Sequence, residues 1–379
     1  MTGPLYLDAN ASEPLRPEAR RAVIETLDTV GNPSSVHAVG RAARRILEEA
    51  RERVAAALGV APATVFFTAG ATEANAIALA GAAREGRRLL VSAIEHDSVL
   101  RASPRIEPVP VTGEGIIDLA ALEAALAANS RPALIAVMAA NNETGVIQPL
   151  AEVAAICARF GALLHVDAAQ VPGRLPLGGL AGHGIGSLVL SAHKAGGPKG
   201  AGALVLPGGW WPGPLVGGGG QERGLRGGTE PLPAIAGFAA ALAAAEAWRA
   251  AGGAERLARL REEIESGLSE RVPQALIVAS ASSRLPNTVA IALPAVAAAT
   301  QVMALDLAGV CVSAGSACSS GKVAESHVLR AMGLGPLAAS TIRVSLPWDA
   351  PDDAPPRFLA AYAATAGRLA ARAVEPVPA

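Results

Sequence analysis

The chain has 379 residues, 51% of them apolar, and its 32 Lys and Arg against 33 Asp and Glu give a formal net charge of −1. At roughly 100 to 200 residues per domain that length supports two or three domains. The balanced charge leaves no footprint for nucleic acid or an anionic membrane surface, so a small-molecule substrate is expected.

The start, MTGPLYLDANASEPL, has no basic segment followed by an apolar one, and Gly, Pro or charge breaks every apolar stretch well before about 20 residues. Three cysteines, Cys157, Cys311 and Cys318, are odd in number and lack C-x-x-C spacing, so neither a disulfide framework nor a zinc site is indicated. A cytoplasmic protein fits best. LYLDANA reads as an N-terminal strand, and residues 16–58 read as two helices, the second with Arg and Glu on its solvent face. Next come β-like runs: TVFFT (64–68), RLLVSAIEH (88–96), ALIAVMAANNE (133–143), ALLHVDAAQ (162–170) and SLVLSAHK (187–194). Helix-like GATEANAIALAGAARE (70–85) and PLAEVAAICARFG (149–161) separate some of them. This alternation predicts an α/β fold, with a large domain over 15–250 built on a mostly parallel central sheet flanked by helices. Functional groups then gather at the carboxyl ends of the strands.

From about residue 235 an Ala-rich helix reads as a connector. NTVAIAL, GVCVSAG and TIRVSLP, with a final helix over DDAPPRFLAAYAATAGRLAAR, predict a smaller α+β domain over 251–379, to which residues 1–14 cross. Cys157 on a helix and Cys311 in a strand read as inert core thiols.

The richest stretch is LSAHKAGGPKGAGAL (190–204), where an apolar strand runs into Ser191, His193, Lys194 and a glycine-rich turn. A lysine there is either a Schiff-base residue or a surface lysine beside a turn. Asp167 ends the preceding strand and Gln170 follows it; a strand-end carboxylate suits the ring nitrogen of a pyridoxal cofactor, but also a helix cap or a metal. In FTAGATEANA, Ala71 and Thr72 open a helix that either cradles a phosphate or is capped by Thr72. GGGGQERGLRGGTE, with Thr229, is either an anion loop or a flexible one.

His96 at a strand end is either a ring that stacks and exchanges protons or a satisfied structural residue. Asn142 lies in the polar turn AANNETG. Arg343, in the apolar strand STIRVSLP, needs an anion, which is a substrate carboxylate or an internal ion pair. In VSAGSACSSG, Cys318 stands among small residues and is either a mobile nucleophile or a packed thiol.

Taken together, GATE, EH, NNETG, HVDAAQ, SAHKAGGPKG, RGGTE, SAGSACSSG and IRVSL resemble, in order and spacing, the NifS and IscS type cysteine desulfurases. These belong to the class V branch of the fold type I pyridoxal phosphate enzymes, and the resemblance runs from LDANAS to IRVSL. It implies pyridoxal 5'-phosphate bound at Lys194, with Asp167 at the ring nitrogen, Gln170 at the phenolic oxygen and His96 stacked on the ring. Ala71, Thr72, Ser191 and His193 match phosphate contacts, Thr229 a phosphate contact from the other subunit of a homodimer, and Asn142 a further cofactor or substrate contact. Asn32, in GNPSS, and Arg343 match groups that hold the carboxylate of L-cysteine, and Cys318 the nucleophile that takes its sulfur.

Lys194, His96 and Cys318 are thus the implied catalytic residues, L-cysteine the substrate, and a sulfur acceptor or iron–sulfur scaffold protein the implied partner. A selenocysteine lyase or another class V aminotransferase is the alternative. The absence of a long insertion between SAGSAC and HVLRAMG resembles the subgroup with a longer cysteine loop that transfers sulfur directly. Pro347 and Trp348 depart from the family pattern, as does PAVAAAT, which lacks an acidic pair; both bear on substrate scope and partner contacts.

Overall fold

The computed structural model describes residues 3–182, 184–315 and 325–374. Cys318 and its immediate neighbours therefore lie outside the described residues, and so do the expectations placed on them.

The central sheet has seven strands: β2 (Val65–Thr68), β3 (Arg88–Ser92), β4 (Ile106–Val109), β5 (Ala133–Met138), β6 (Leu163–Asp167), β7 (Ser187–Ser191) and β8 (Gly202–Val205). Their spatial order is β2-β8-β7-β6-β5-β3-β4. β7, β6, β5, β3 and β4 run parallel, whereas β8 pairs antiparallel with both β7 and β2. A strand covered by helices on both faces must be apolar throughout, not alternating. ALIAVM of β5 meets that demand, with all six residues buried.

Two predicted strands are shorter than their apolar runs suggest, because polar side chains turn the chain early. β3 stops at Ser92, and four residues later His96 caps the next short helix by accepting the Ser98 N–H. β5 stops at Met138, and Asn141 Oδ1 then collects the N–H groups of Glu143 and Thr144.

The two early helices are α1 (Pro17–Leu27) and α2 (Ala38–Leu58), followed by α3 (Ala71–Arg84), α4 (Asp97–Leu100), α5 (Leu119–Ala127) and α6 (Leu150–Phe160). α7 (Leu232–Ala250), read from sequence as a connector, instead lays Leu232, Ile235, Phe238 and Leu242 into the core of the central sheet and packs on α1 and α2.

A second sheet is antiparallel, in the order β12-β13-β10-β9, from β9 (Leu276–Ile277), β10 (Thr288–Ala292), β12 (Ser313–Ala314) and β13 (Thr341–Ser345). β1 (Leu5–Tyr6) pairs in parallel with β11 (Val310–Cys311). GVCVSAG, one run in the sequence, thus splits at Val312 between two pairings. α8 (Gly253–Arg271) and the C-terminal helix Ala354–Val374 cover this sheet with Leu257, Ile264, Phe358 and Tyr362. Among the described residues no single helix is long and apolar enough to cross a membrane.

Candidate active site

A cavity of about 890 Å³ opens at the carboxyl edge of the parallel strands. Ala71, Thr72, His96, Asn142, Asp167, Gln170, Ser191, His193, Lys194 and Arg343 all line it. Asn32 and Thr229 do not: both are exposed, and the Asn32 side chain accepts the Ser34 N–H at 2.8 Å.

Lys194 follows β7, and its ammonium donates to the main-chain carbonyl of Asn10. That carbonyl also receives Gln170 Nε2 at 3.1 Å. Gln170 Oε1 is taken by Arg174, which pairs with Glu13 at 3.0 Å in a buried contact. The amide is thereby oriented, and one Nε2–H remains to give.

Asp167 ends β6, with Oδ1 accepting the Ala169 N–H at 3.0 Å and Oδ2 accepting Asn75 Nδ2 at 2.8 Å. A carboxylate offers about four lone-pair sites, so acceptor capacity is left over.

Above this floor, the amino end of α3 faces the turn after β7. Gly202 of β8 permits that approach, since a Cβ there would sit 2.7 Å from Gly70 Cα. His193 lies alongside, its pKa lowered to about 4 by burial and by the charges of Lys194 and Lys199, and its buried Nδ1 has no partner among the described residues. On the far side, Arg343 gives one N–H to Asp8 Oδ1 at 2.6 Å and one to the Asn142 carbonyl at 3.0 Å, while its Nε has no partner among the described residues. The internal ion pair weighed for Arg343 is therefore present, and the same side chain also lines the cavity.

Sequence reasoning missed Asp8, Asn10, Asn75, Ser98 and Arg174. Asn75 carried the best signal, being a poor helix former inside an otherwise apolar helical run. Asn10 acts through its carbonyl, which no residue type announces.

Trp348 was read as bearing on substrate scope or partners. It is not among the residues that line the cavity: its indole N–H donates to the Pro14 carbonyl at 3.1 Å and its ring stacks on Arg16.

Fold and cavity together define an α/β enzyme whose polar groups converge on one strand-end lysine. A family model described as "Aminotransferase class-V" matches residues 5–352. A cysteine desulfurase from Cereibacter sphaeroides is 44% identical over 357 residues, 90% of each chain. Cysteine desulfurase IscS from Dictyoglomus turgidum is 38% identical over 357 residues, covering 90% of this chain and 89% of that one. Among solved structures, a NifS-like protein from Rickettsia africae ESF-5 superposes with a TM-score of 0.88 at 33% identity, over 96% of this chain and 99% of that one. The chain belongs to the class-V aminotransferase family.

Proposed function

We propose that the protein is a cysteine desulfurase that converts L-cysteine to L-alanine and passes the sulfur to Cys318 as a persulfide. The observation that carries this reading is the convergence of Lys194, Asp167, Gln170 and His96 on one cavity.

The same residues fit pyridoxal 5'-phosphate. His193 Nδ1, without a partner among the described residues and lining the same cavity as the amino end of α3, suits a phosphate. The spare lone pairs of Asp167 suit a protonated ring nitrogen, and the remaining Gln170 Nε2–H suits a phenolic oxygen. When bound, the cofactor supplies an electron sink for the bonding pair released at the substrate α-carbon.

The chain's own groups supply the rest. Arg343 and the Asn142 turn orient the substrate carboxylate. Lys194 Nζ takes the α-proton and returns one to carbon. The Cys318 thiolate attacks the substrate sulfur, so an S–S bond forms while the C–S bond breaks. The electrons of that bond stay with carbon, which is protonated, and alanine leaves.

We further infer a division into a large domain over 15–250 and a small one over 1–14 and 251–379. The protein is read as a cytoplasmic homodimer in which Thr229 of each chain serves its partner's cavity, and the exposure of Thr229 outside its own cavity supports this. The persulfide then passes to an acceptor or iron–sulfur scaffold protein.

The test compares alanine and sulfide formation from cysteine, with a reductant present, for wild type and Cys318→Ala. Sulfide release should be lost in the variant while the cofactor absorbance is retained. Unchanged release would sink the mechanism.

A further inference from the structure

From Ser98 in the cavity wall, four side chains run inward as one hydrogen-bonded chain that the reaction as described does not use. Asn75, on α3, is fully buried. Its Nδ2 donates to Asp167 Oδ2 at 2.8 Å and to Ser98 Oγ at 2.9 Å. Its Oδ1 lies 2.9 Å from His165 Nε2. His165 Nδ1 in turn lies 2.8 Å from Ser187 Oγ, and His96 Nδ1 lies 2.9 Å from Ser98 Oγ.

Proton positions along the chain follow from donor and acceptor counting. A carboxylate only accepts, so the Asn75 amide must present Nδ2 to Asp167. Its oxygen then faces His165, which must carry its proton on Nε2 and accept from the Ser187 hydroxyl at Nδ1. Burial keeps this imidazole neutral, lowering its pKa to about 4.

The other Asn75 N–H goes to Ser98 Oγ, whose single proton is left to point at His96 Nδ1. The Ser98 main-chain N–H reaches the same nitrogen at 3.1 Å. Two donors converge on Nδ1, the Ser98 hydroxyl at 2.9 Å and the longer main-chain N–H, and the two together leave no room for a proton on that nitrogen. The ring proton of His96 therefore sits on Nε2.

We infer that Asn75 is a positioning residue: through Ser98 it holds His96 as the neutral Nε2–H tautomer, and with the same amide it aims the Asp167 carboxylate. The inference rests on reading Asp167 and His96 as the two groups that contact the cofactor ring. One buried side chain then sets both the charge partner and the stacking partner. His96 is a fixed donor at Nε2, and proton uptake at substrate carbon falls to Lys194.

The experiment uses cofactor-free protein labelled with ¹⁵N-histidine, in which the two ring nitrogens of each histidine report their protonation directly. His96→Gln and His165→Gln assign the signals. Wild type should show both His96 and His165 with the proton on Nε2. In Asn75→Leu, His165 loses its acceptor and should move its proton to Nδ1 to meet Ser187 Oγ, while His96 becomes a mixture of tautomers. Ser98→Ala, at a half-buried position with little risk to folding, should loosen His96 and leave His165 unchanged.

In the cofactor-loaded enzyme, Asn75→Leu should lower kcat at least about tenfold with a smaller change in KM, the pattern of lost alignment. A wild-type His96 protonated on Nδ1 overturns the inference. So does a His96 tautomer unmoved in Ser98→Ala, which would leave the backbone N–H as the sole determinant. The spectra require no turnover, so they stand or fall separately from the Cys318→Ala assay.

Discussion

Glu95 carries a carboxyl group in nearly complete burial, with Oε1 accepting the Met138 N–H at 2.7 Å and Oε2 unpartnered among the described residues. Burial, opposed by the Met138 bond and reinforced by the charge of Asp167, pushes its pKa well above the ordinary carboxylate range. The folded state thus keeps a proton that the unfolded chain releases near pH 4.5. The stability it contributes is complete below that pH and is lost as pH rises towards the folded-state pKa. Glu95→Gln keeps the acceptor for Met138 and cannot ionise. Denaturant unfolding should therefore show a gain over wild type that is small at pH 5 and grows steadily towards pH 8; equal gains at both pH values would show that Glu95 does not titrate between them. Lys194 and Asp167 were legible in the sequence as charged groups at or just past the ends of apolar strands, and both line the cavity. Glu95, Asn75 and Asn10 were not, because a buried polar group reveals itself only through partners distant in sequence.

At the scale of elements, α3 reaches the site because β8 gives it room. Gly202 pairs with Thr68 and Ser191, and a Cβ there would lie 2.7 Å from both Gly70 Cα and the Leu190 carbonyl oxygen. Both obstacles are backbone, so Gly202→Ala must push the amino end of α3 off the sheet. It should cost about 1–3 kcal/mol and weaken pyridoxal phosphate affinity about tenfold or more, read by titrating the cofactor-free protein. The control is Gly367→Ala in the C-terminal helix, at an exposed site with nothing within 4 Å, which should gain up to about 1 kcal/mol. Unaltered affinity in Gly202→Ala would separate α3 from cofactor binding. The strand and helix sequence of the central sheet was readable from its apolar runs, but their ends were not. RLLVSAIEH and ALIAVMAANNE stay apolar to Ile94 and Ala140, past the strand ends at Ser92 and Met138, and the side-chain bonds of His96 and Asn141 that shape the turns follow only after that. The splitting of GVCVSAG at Val312 likewise depends on two partners, β1 and β13, at opposite ends of the chain.

Over the whole molecule, residues 5–16 form a strap between the two sheets. The segment joins β11 through Leu5 and Leu7, meets Ser345 of β13 through Ala9, and then donates from Glu13 N–H to the His193 carbonyl and from Arg16 N–H to that of Gly196. The Asn10 side chain bonds Thr288 of the second sheet at 2.9 Å and the Asn142 carbonyl beside the cavity at 3.0 Å. Arg16 closes the strap: its guanidinium lies 5.4 Å from the Trp248 ring and 4.7 Å from the Trp348 ring, with Nε on the Ala195 carbonyl at 3.1 Å. Trp348 thus has a structural part in the strap. Stacking between two indoles needs a planar cation, so lysine is a poor substitute. Arg16→Ala also leaves Glu13 with one fewer positive neighbour in a buried site. Calorimetry of the cofactor-loaded protein should show one cooperative transition for wild type. Arg16→Ala should lose about 2–4 kcal/mol and resolve into two transitions, only one of them shifted by added pyridoxal phosphate, because the two sheets no longer unfold as one unit. Arg16→Lys should fall between the two. If Arg16→Ala unfolds in a single step with a lowered midpoint, the remaining contacts of the strap suffice to couple the sheets and the stacked arginine contributes stability alone.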